Sequence, residues 1–281
     1  MSQHFVSTDW LAQHLTSPDI AVIDASWHLP TAKRDAKAEF LDGHIPGAQF
    51  FDIDDLSDTA NPLPHMLPSP EKFASRMRKM GIGDGKRVII YDSAGLFSAA
   101  RAWWMFRVFG HDDVAVLDGG LPKWIAENRP LADGPAAKPQ ERHFTARYQA
   151  TMVRDMPDVA VAVSSRQTQI ADARSPGRFR GEEAEPRPGV RPGHMPGARN
   201  VHYATLLNPD GTLKPADRIA GTFAAAGIDI GKPVITSCGS GVTAAILTLG
   251  LTIAGARDHA LYDGSWVEWG SAPDSPVATG P

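Results

Sequence analysis

The 281-residue chain is expected to fold as α/β, in two tandem copies of one unit, each a parallel sheet with helices on both faces. Three pairs of segments carry that expectation. "GHIPGAQFF" at Gly43 returns as "GHMPGARNV" at Gly193, "VIDAS" at Val22 as "IADAR" at Ile170, and "LDGGLPKW" at Leu117 as "YDGSWVEW" at Tyr262. The pairs keep their order and an offset of about 145 to 150 residues, which marks a duplicated structural unit. Within each copy, apolar strand-like runs alternate with helix-like ones, the pattern of parallel pairing with helical crossovers.

The elements follow in the same order twice. A short apolar strand ("IAVIDAS", "QIADAR") precedes a polar stretch and the GHxPGA turn. Next comes a helix-like segment ("SPEKFASRMRKMG", "KPADRIAGTFAAAG") with proline early and glycine at its end, where helix boundaries favour them. A β-rich run ("KRVIIYD", "KPVITSC") leads through a loop to an apolar helix ("SAARAWWMFRVFG", "TAAILTLGLTIAG"). A last strand ("VAVLDG", "HALYDG") closes the unit. The boundaries so read are a first domain over 1–135, a linker over 136–152 and a second domain over 153–281.

Composition narrows the class. With 42% hydrophobic and 21% charged residues, the chain can bury a real core. A net charge of −4 supplies no overall basic field for a nucleic-acid partner. One cysteine allows no internal disulfide. The start, "MSQHFVSTDWLAQHL", lacks the basic and apolar regions of a signal peptide, and the longest apolar segment, 244–255, is too short for a membrane helix. A cytoplasmic location is expected, with no nucleic-acid or membrane partner. No metal-ligand spacing or phosphate-binding G-x4-G-K-[ST] loop occurs, so neither metal nor cofactor is expected.

The single cysteine, Cys238, stands in "SCGSGVT", between the strand "PVIT" and an apolar helix. Buried packing is the usual fate of a lone cysteine. Here Gly239 and Gly241 let the backbone curl so that several N–H groups face one point, and the following helix adds the positive end of its dipole. That combination favours a thiolate, the nucleophilic form. Ligands of parallel sheets gather at the carboxyl ends of strands, where Cys238 falls.

Three chemistries compete for this turn. "GSGVTA" matches the G-x-G-x-x-A dinucleotide fingerprint but lies too near the end of the sequence for a full binding unit. The cysteine-phosphatase pattern needs an arginine where Ala244 stands, and phosphate loses its charge clamp without it. Sulfur transfer needs an activated thiolate, N–H donors for an anionic persulfide and no neighbouring thiol to resolve it.

The repeat, the GHxPGA turns and "CGSGVT", together with "FFDIDDLSD", "PLPHMLP", "FSAARAWWMFR", "GRFRGEEAEPRPG" and "YDGSWVEWG", resemble the two-domain rhodanese family over essentially the whole chain. The resemblance is greatest to the members that take sulfur from 3-mercaptopyruvate. It implies a catalytic second copy and a silent first one. Aligning "RVIIYD" with "PVITSC" sets Asp92, which cannot form a persulfide, opposite Cys238.

The resemblance also implies that Cys238 is the nucleophile and Ser240 a proton-handling group. Gly239, Gly241, Val242 and Thr243 complete the substrate loop, with Thr243 expected to cap the following helix through its side chain. Arg178 and Arg187 are implied to hold the donor's carboxylate and carbonyl. His65 and Asp54, from the first copy, are candidates for a proton relay. Thiosulfate-using relatives carry basic residues in the loop, whereas Gly239-Ser240-Gly241 is neutral. The acceptor is expected to be an external thiol, a thioredoxin-like protein or cyanide. Thiosulfate as donor, and a non-catalytic module binding an anion or a partner, stay open as alternatives. Arg174 is read as a structural partner of Asp172, His44 and His194 as turn architecture, and Trp103, Trp104, Trp266 and Trp269 as packing.

Overall fold

A computed structural model describes residues 3–281 and divides the chain into two compact units. The first runs to Thr59 and adds Leu67–Gln149 and Asn208–Leu213; the second comprises Ala60–Met66, Ala150–Leu207 and Lys214–Pro281. Each is built on one five-stranded parallel sheet. The first sheet contains β1 (Phe5–Val6), β2 (Ile20–Asp24), β3 (Gln49–Phe50), β4 (Arg87–Tyr91) and β5 (Val114–Leu117), in the order β1-β5-β4-β2-β3. The second contains β6 (Val153–Arg154), β7 (Gln169–Asp172), β8 (Arg199–Asn200), β9 (Val234–Ser237) and β10 (His259–Tyr262), in the order β6-β10-β9-β7-β8. The two orders are the same order, as a duplication requires.

The central strands read as continuous apolar runs because helices cover both faces. β5 and β9 are buried at every residue. The helix Pro70–Lys79 starts at Ser69, whose side chain accepts from Lys72 N, and turns Phe73, Ala74 and Met77 into the core. The helix Ala244–Ile253 has no charged residue and is buried nearly all round, the signature of a core helix rather than an amphipathic one. Among the described residues no helix is long and apolar enough to cross a membrane.

Two expectations change in detail. Part of the segment read as linker is pinned to the first unit: Thr145 donates twice to Asp84, Arg147 N donates to Phe109 O, and Gln149 N to Val108 O. Residues 60–66, expected to serve from the first copy, pack with the second unit instead and bring His65 with them. His44 and His194 are turn architecture as read. Each ring bonds a backbone carbonyl through Nδ1 (Phe40 and Phe179) and stacks on that same phenylalanine.

The copies differ most at a buried carboxylate that both retain at the end of their second strand. In the second unit Asp172 forms a fork with Arg174, both side chains fully buried. In the first unit the position of Arg174 is Ser26, and Asp24 bonds the Ser26 backbone N–H and the Tyr91 hydroxyl. Ser237 holds the place of Tyr91 in the second unit, so the phenol of one copy gives way to the guanidinium of the other. Without a cation, burial raises the Asp24 carboxyl to about 6, and Asp92 nearby adds to the rise.

A raised carboxylate means that the native state binds a proton the unfolded chain releases. Stability from this group is therefore present below the unfolded value of 3.8 and lost as pH rises through about 6. Asp24→Asn keeps an oxygen for the Ser26 N–H and cannot ionise. Relative to the parent, the variant should gain about 2.5 kcal/mol in unfolding free energy between pH 4 and pH 7.5, read by urea denaturation at both. A pH-independent difference would show that Asp24 is not charged at neutral pH at such a cost.

Candidate active site

β9 ends at Ser237, and Cys238 is the next residue, buried at the carboxyl edge of the sheet. The loop that follows is held by its own backbone. Cys238 O accepts from Trp266 N and Gly239 O from Val267 N, each at 2.9 Å. Cys238 N donates to Ser265 Oγ at 3.3 Å. Gly241 turns the chain with φ +77°, a conformation that glycine adopts without steric cost, and the helix Ala244–Ile253 begins three residues later.

What such a loop does is visible in the first unit. There β4 delivers Asp92, and its carboxylate accepts four backbone N–H groups: Ala94 at 2.9 Å on Oδ1, and Phe97, Ser98 and Ala99 at 2.7, 2.9 and 2.8 Å on Oδ2. The corresponding residues of the second loop are Ser240, Thr243, Ala244 and Ala245. Gly95 and Gly241 fall at the same place with similar positive φ, +101° and +77°. The first copy thus carries an anion of its own in the cradle; the second places a sulfur at the head of the same turn.

Two further side chains meet this loop. His65 reaches Ser240, with Nδ1 3.0 Å from Oγ and 3.2 Å from the backbone oxygen. It does so from a left-handed backbone, φ +62°, with its side chain buried, a conformation uncommon outside glycine. Arg178 lies on the short helix Pro176–Arg180, where Ser175 accepts its N–H. A Cβ placed on Gly239 would stand 2.9 Å from Arg178 Nη2, so the guanidinium occupies the space a side chain at 239 would need. Glu185 takes two N–H groups of Arg178 and one of Arg174.

The other expected residues are placed less directly. Val242 is buried within the loop. Arg187 is half-buried in the segment between the Arg178 helix and β8. Asp54 belongs to the helix Ile53–Leu56, where its Oδ2 accepts Trp27 Nε1 at 3.0 Å; the cap of that helix is Asp52. Thr243 stands at the cap position immediately before the helix Ala244–Ile253 but makes no side-chain cap there. Its backbone is already helical, φ −76° and ψ −17°, whereas a capping hydroxyl needs an extended residue.

Two residues of the site escaped the sequence reading. Ser265 has φ +51° and is fully buried, accepting from Cys238 N and donating to Tyr262 O. Its counterpart in "LDGGLPKW" is Gly120, φ +56°, so a serine where the copy has glycine was the available signal. Glu185 stands in the acidic run "GEEAE", where nothing in the sequence separates it from its neighbours.

The fold and the cysteine loop define a rhodanese-type unit, and the comparisons agree. The rhodanese-like domain matches residues 7–127 and 156–272, and the chain belongs to that family. It is 47% identical over 274 residues to a 3-mercaptopyruvate sulfurtransferase of Escherichia coli (strain K12), covering 97% of each chain. It is 44% identical to the Homo sapiens 3-mercaptopyruvate sulfurtransferase, covering 94% of this chain and 91% of that one. The crystal structure of an Escherichia coli 3-mercaptopyruvate sulfotransferase superposes with a TM-score of 0.87 at 44% identity, over 94% of this chain and 99% of that one.

Arg174 anchors the loop's surroundings. Besides Asp172 and Glu185 it bonds Gly193 O, and its guanidinium lies 4.5 Å from the centre of the Trp266 ring. Arg174→Met would leave Asp172 buried without its cation and Glu185 with Arg178 alone, and should destabilise the chain by about 3–5 kcal/mol, read as a shift in the urea midpoint. Arg174→Lys should recover little, since one ammonium cannot reproduce the fork. A midpoint unchanged in the methionine variant would remove Arg174 from the framework.

Proposed function

We propose that the chain is a sulfurtransferase that moves the sulfur of 3-mercaptopyruvate through a persulfide on Cys238 to an external acceptor. The observation that carries this reading is the Asp92 cradle: the same turn that holds a carboxylate through four N–H groups is headed by Cys238 in the second unit. An anion there, first the thiolate and then the persulfide, meets hydrogen-bond donors fixed before it forms. Relatives that carry the name 3-mercaptopyruvate sulfurtransferase match nearly end to end.

In the first step the Cys238 thiolate attacks the donor's sulfur. A sulfur–sulfur bond forms, the carbon–sulfur bond breaks, and its electron pair leaves as the enolate of pyruvate. The ketone makes that leaving group accessible because charge spreads onto its oxygen. A proton delivered to carbon gives pyruvate. In the second step an acceptor thiolate, or cyanide, attacks the outer sulfur and frees the Cys238 thiolate. A chain with a single cysteine must use an external acceptor, a small thiol or a thioredoxin-like protein among them.

Roles follow from position. Arg178, beside Gly239, takes the donor's carboxylate by a charge-assisted contact, with Arg187 as the second cation for carboxylate or carbonyl. The neutral loop suits a donor whose charge is met by these arginines rather than by the loop. Ser240 and His65, 3.0 Å apart, carry the proton. Asp54 stays a candidate for the same relay, with its Oδ2 accepting Trp27 Nε1. The first copy, with Asp92 at the cysteine position, is silent.

Incubation with 3-mercaptopyruvate should add one sulfur mass to the intact protein, and none to Cys238→Ser. Gain from thiosulfate alone would move the donor assignment; gain from neither would leave a binding module. Arg178→Ala and Arg187→Ala should each lower kcat/KM roughly 10- to 150-fold, about 1.5–3 kcal/mol. His65→Ala should lower kcat roughly 100-fold or more if it moves the proton. Wild-type turnover in that variant would end the relay.

A further inference from the structure

We propose that Glu185 is the positioning residue for Arg178: a buried ladder of alternating charge, Asp172–Arg174–Glu185–Arg178, fixes the guanidinium over Gly239. The inference rests on the reading of Arg178 as the group that takes the donor's carboxylate.

The ladder is continuous in its contacts. Asp172 and Arg174 form a fork with Nη2–Oδ2 at 2.7 Å. Arg174 Nη1 donates to Glu185 Oε1 at 2.8 Å. Glu185 then accepts from Arg178 Nε at 3.2 Å on Oε1 and from Nη2 at 2.5 Å on Oε2. Exposure rises only at the far end: 0% for the side chains of Asp172 and Arg174, 4% for Glu185 and 18% for Arg178. A carboxylate so buried needs both cations, and sharing it ties the outer arginine to the immobile inner one. Glu185 occupies the Nε–Nη2 side of the guanidinium. The edge carrying Nη1 is left to meet a second carboxylate, and the bidentate geometry of arginine makes that edge directional.

The first copy supplies the control. Arg34 donates to Glu39 at 2.6 and 2.7 Å and to Ser93 Oγ at 3.3 Å, and Ser93 corresponds to Gly239. An arginine–glutamate pair over the loop is therefore common to both copies. In the first, however, the pair is 43% and 34% exposed, Glu39 is shared with His28, and Ser26 stands where an inner arginine would be. An exposed pair of that kind is loosely held. Only the copy with the cysteine extends the pair inward to a buried anchor.

The test uses Glu185→Asp, which keeps the charge and retracts it by one methylene, and Glu185→Gln, whose single amide oxygen cannot serve both arginines. Each is made alone and with Arg178→Ala in the full-length chain. Either single change should raise KM for 3-mercaptopyruvate about tenfold or more while kcat stays within about threefold. In the Arg178→Ala background the same changes should cost less than about threefold, because the effect runs through Arg178. A role in folding alone would move the melting temperature and leave KM in place. Should Glu185→Gln fail to fold, Glu185→Asp carries the test.

Calorimetry with pyruvate as the probe reads the ladder without turnover: the parent should bind it, and Glu185→Asp should bind at least about tenfold more weakly. Unchanged KM and unchanged pyruvate affinity in both variants, losses that persist in full without Arg178, or a parent that does not bind pyruvate would each overturn the proposal. A parent that binds pyruvate in this way but forms no persulfide would overturn the functional reading and leave the ladder standing.

Discussion

The site depends on a constraint of backbone hydrogen bonding. A tight turn between a buried central strand and a buried helix points several N–H groups inward, and each must find an acceptor or water. A side-chain anion at the first residue of the turn solves the problem. In the first unit the solution is permanent: Asp92 is joined to the chain, ionisable and the right length. In the second unit the same position holds the sulfur of Cys238, buried at the head of the turn. On the proposed function, reactivity and loop stability are linked, because an anionic sulfur would complete the hydrogen bonding as Asp92 does in the first unit. The need for such an acceptor gives the first copy a reason to carry aspartate at that position.

The other divergence between the copies lies one strand away and concerns charge. Both bury a carboxylate at the end of their second strand. In one copy a phenol and a serine surround it, and its pKa rises; in the other a guanidinium neutralises it as an ion pair. The exchange of Tyr91 and Ser26 for Ser237 and Arg174 is a volume-for-volume trade in which the large group comes from the neighbouring strand. Its consequence is directional. A phenol has one O–H to give and accepts the Ile45 N–H besides, whereas a guanidinium, with five donors, has enough left after Asp172 to reach Glu185 and Gly193.

Much of this was legible in the sequence because it is periodic or covalent. The repeat offset, the strand–helix alternation and the cysteine after an apolar strand are one-dimensional facts, and the identical strand orders of the two sheets follow from them. The pairing of Arg174 with Asp172 was legible too, as two residues apart on one strand end. What was not legible depends on backbone angles and on which segment packs where. Thr243 has the chemistry of a cap but a helical backbone. Ser265 sits in a glycine conformation, and only comparison with Gly120 betrays it. His65 is encoded in the first half yet packs with the second unit, since a short proline-rich segment has little local structure to hold it beside its chain neighbours.

The neutrality of Gly239-Ser240-Gly241 acquires a physical meaning from these contacts. A side chain at 239 would meet the guanidinium of Arg178, so an empty position is what admits a cation from a different element. On the proposed function, a charge brought in from Arg178, held by Glu185, suits a donor whose carboxylate and reacting sulfur lie at opposite ends. On that reading the glycine and the arginine beside it are two halves of one choice: the empty position admits the cation, and the cation meets the donor.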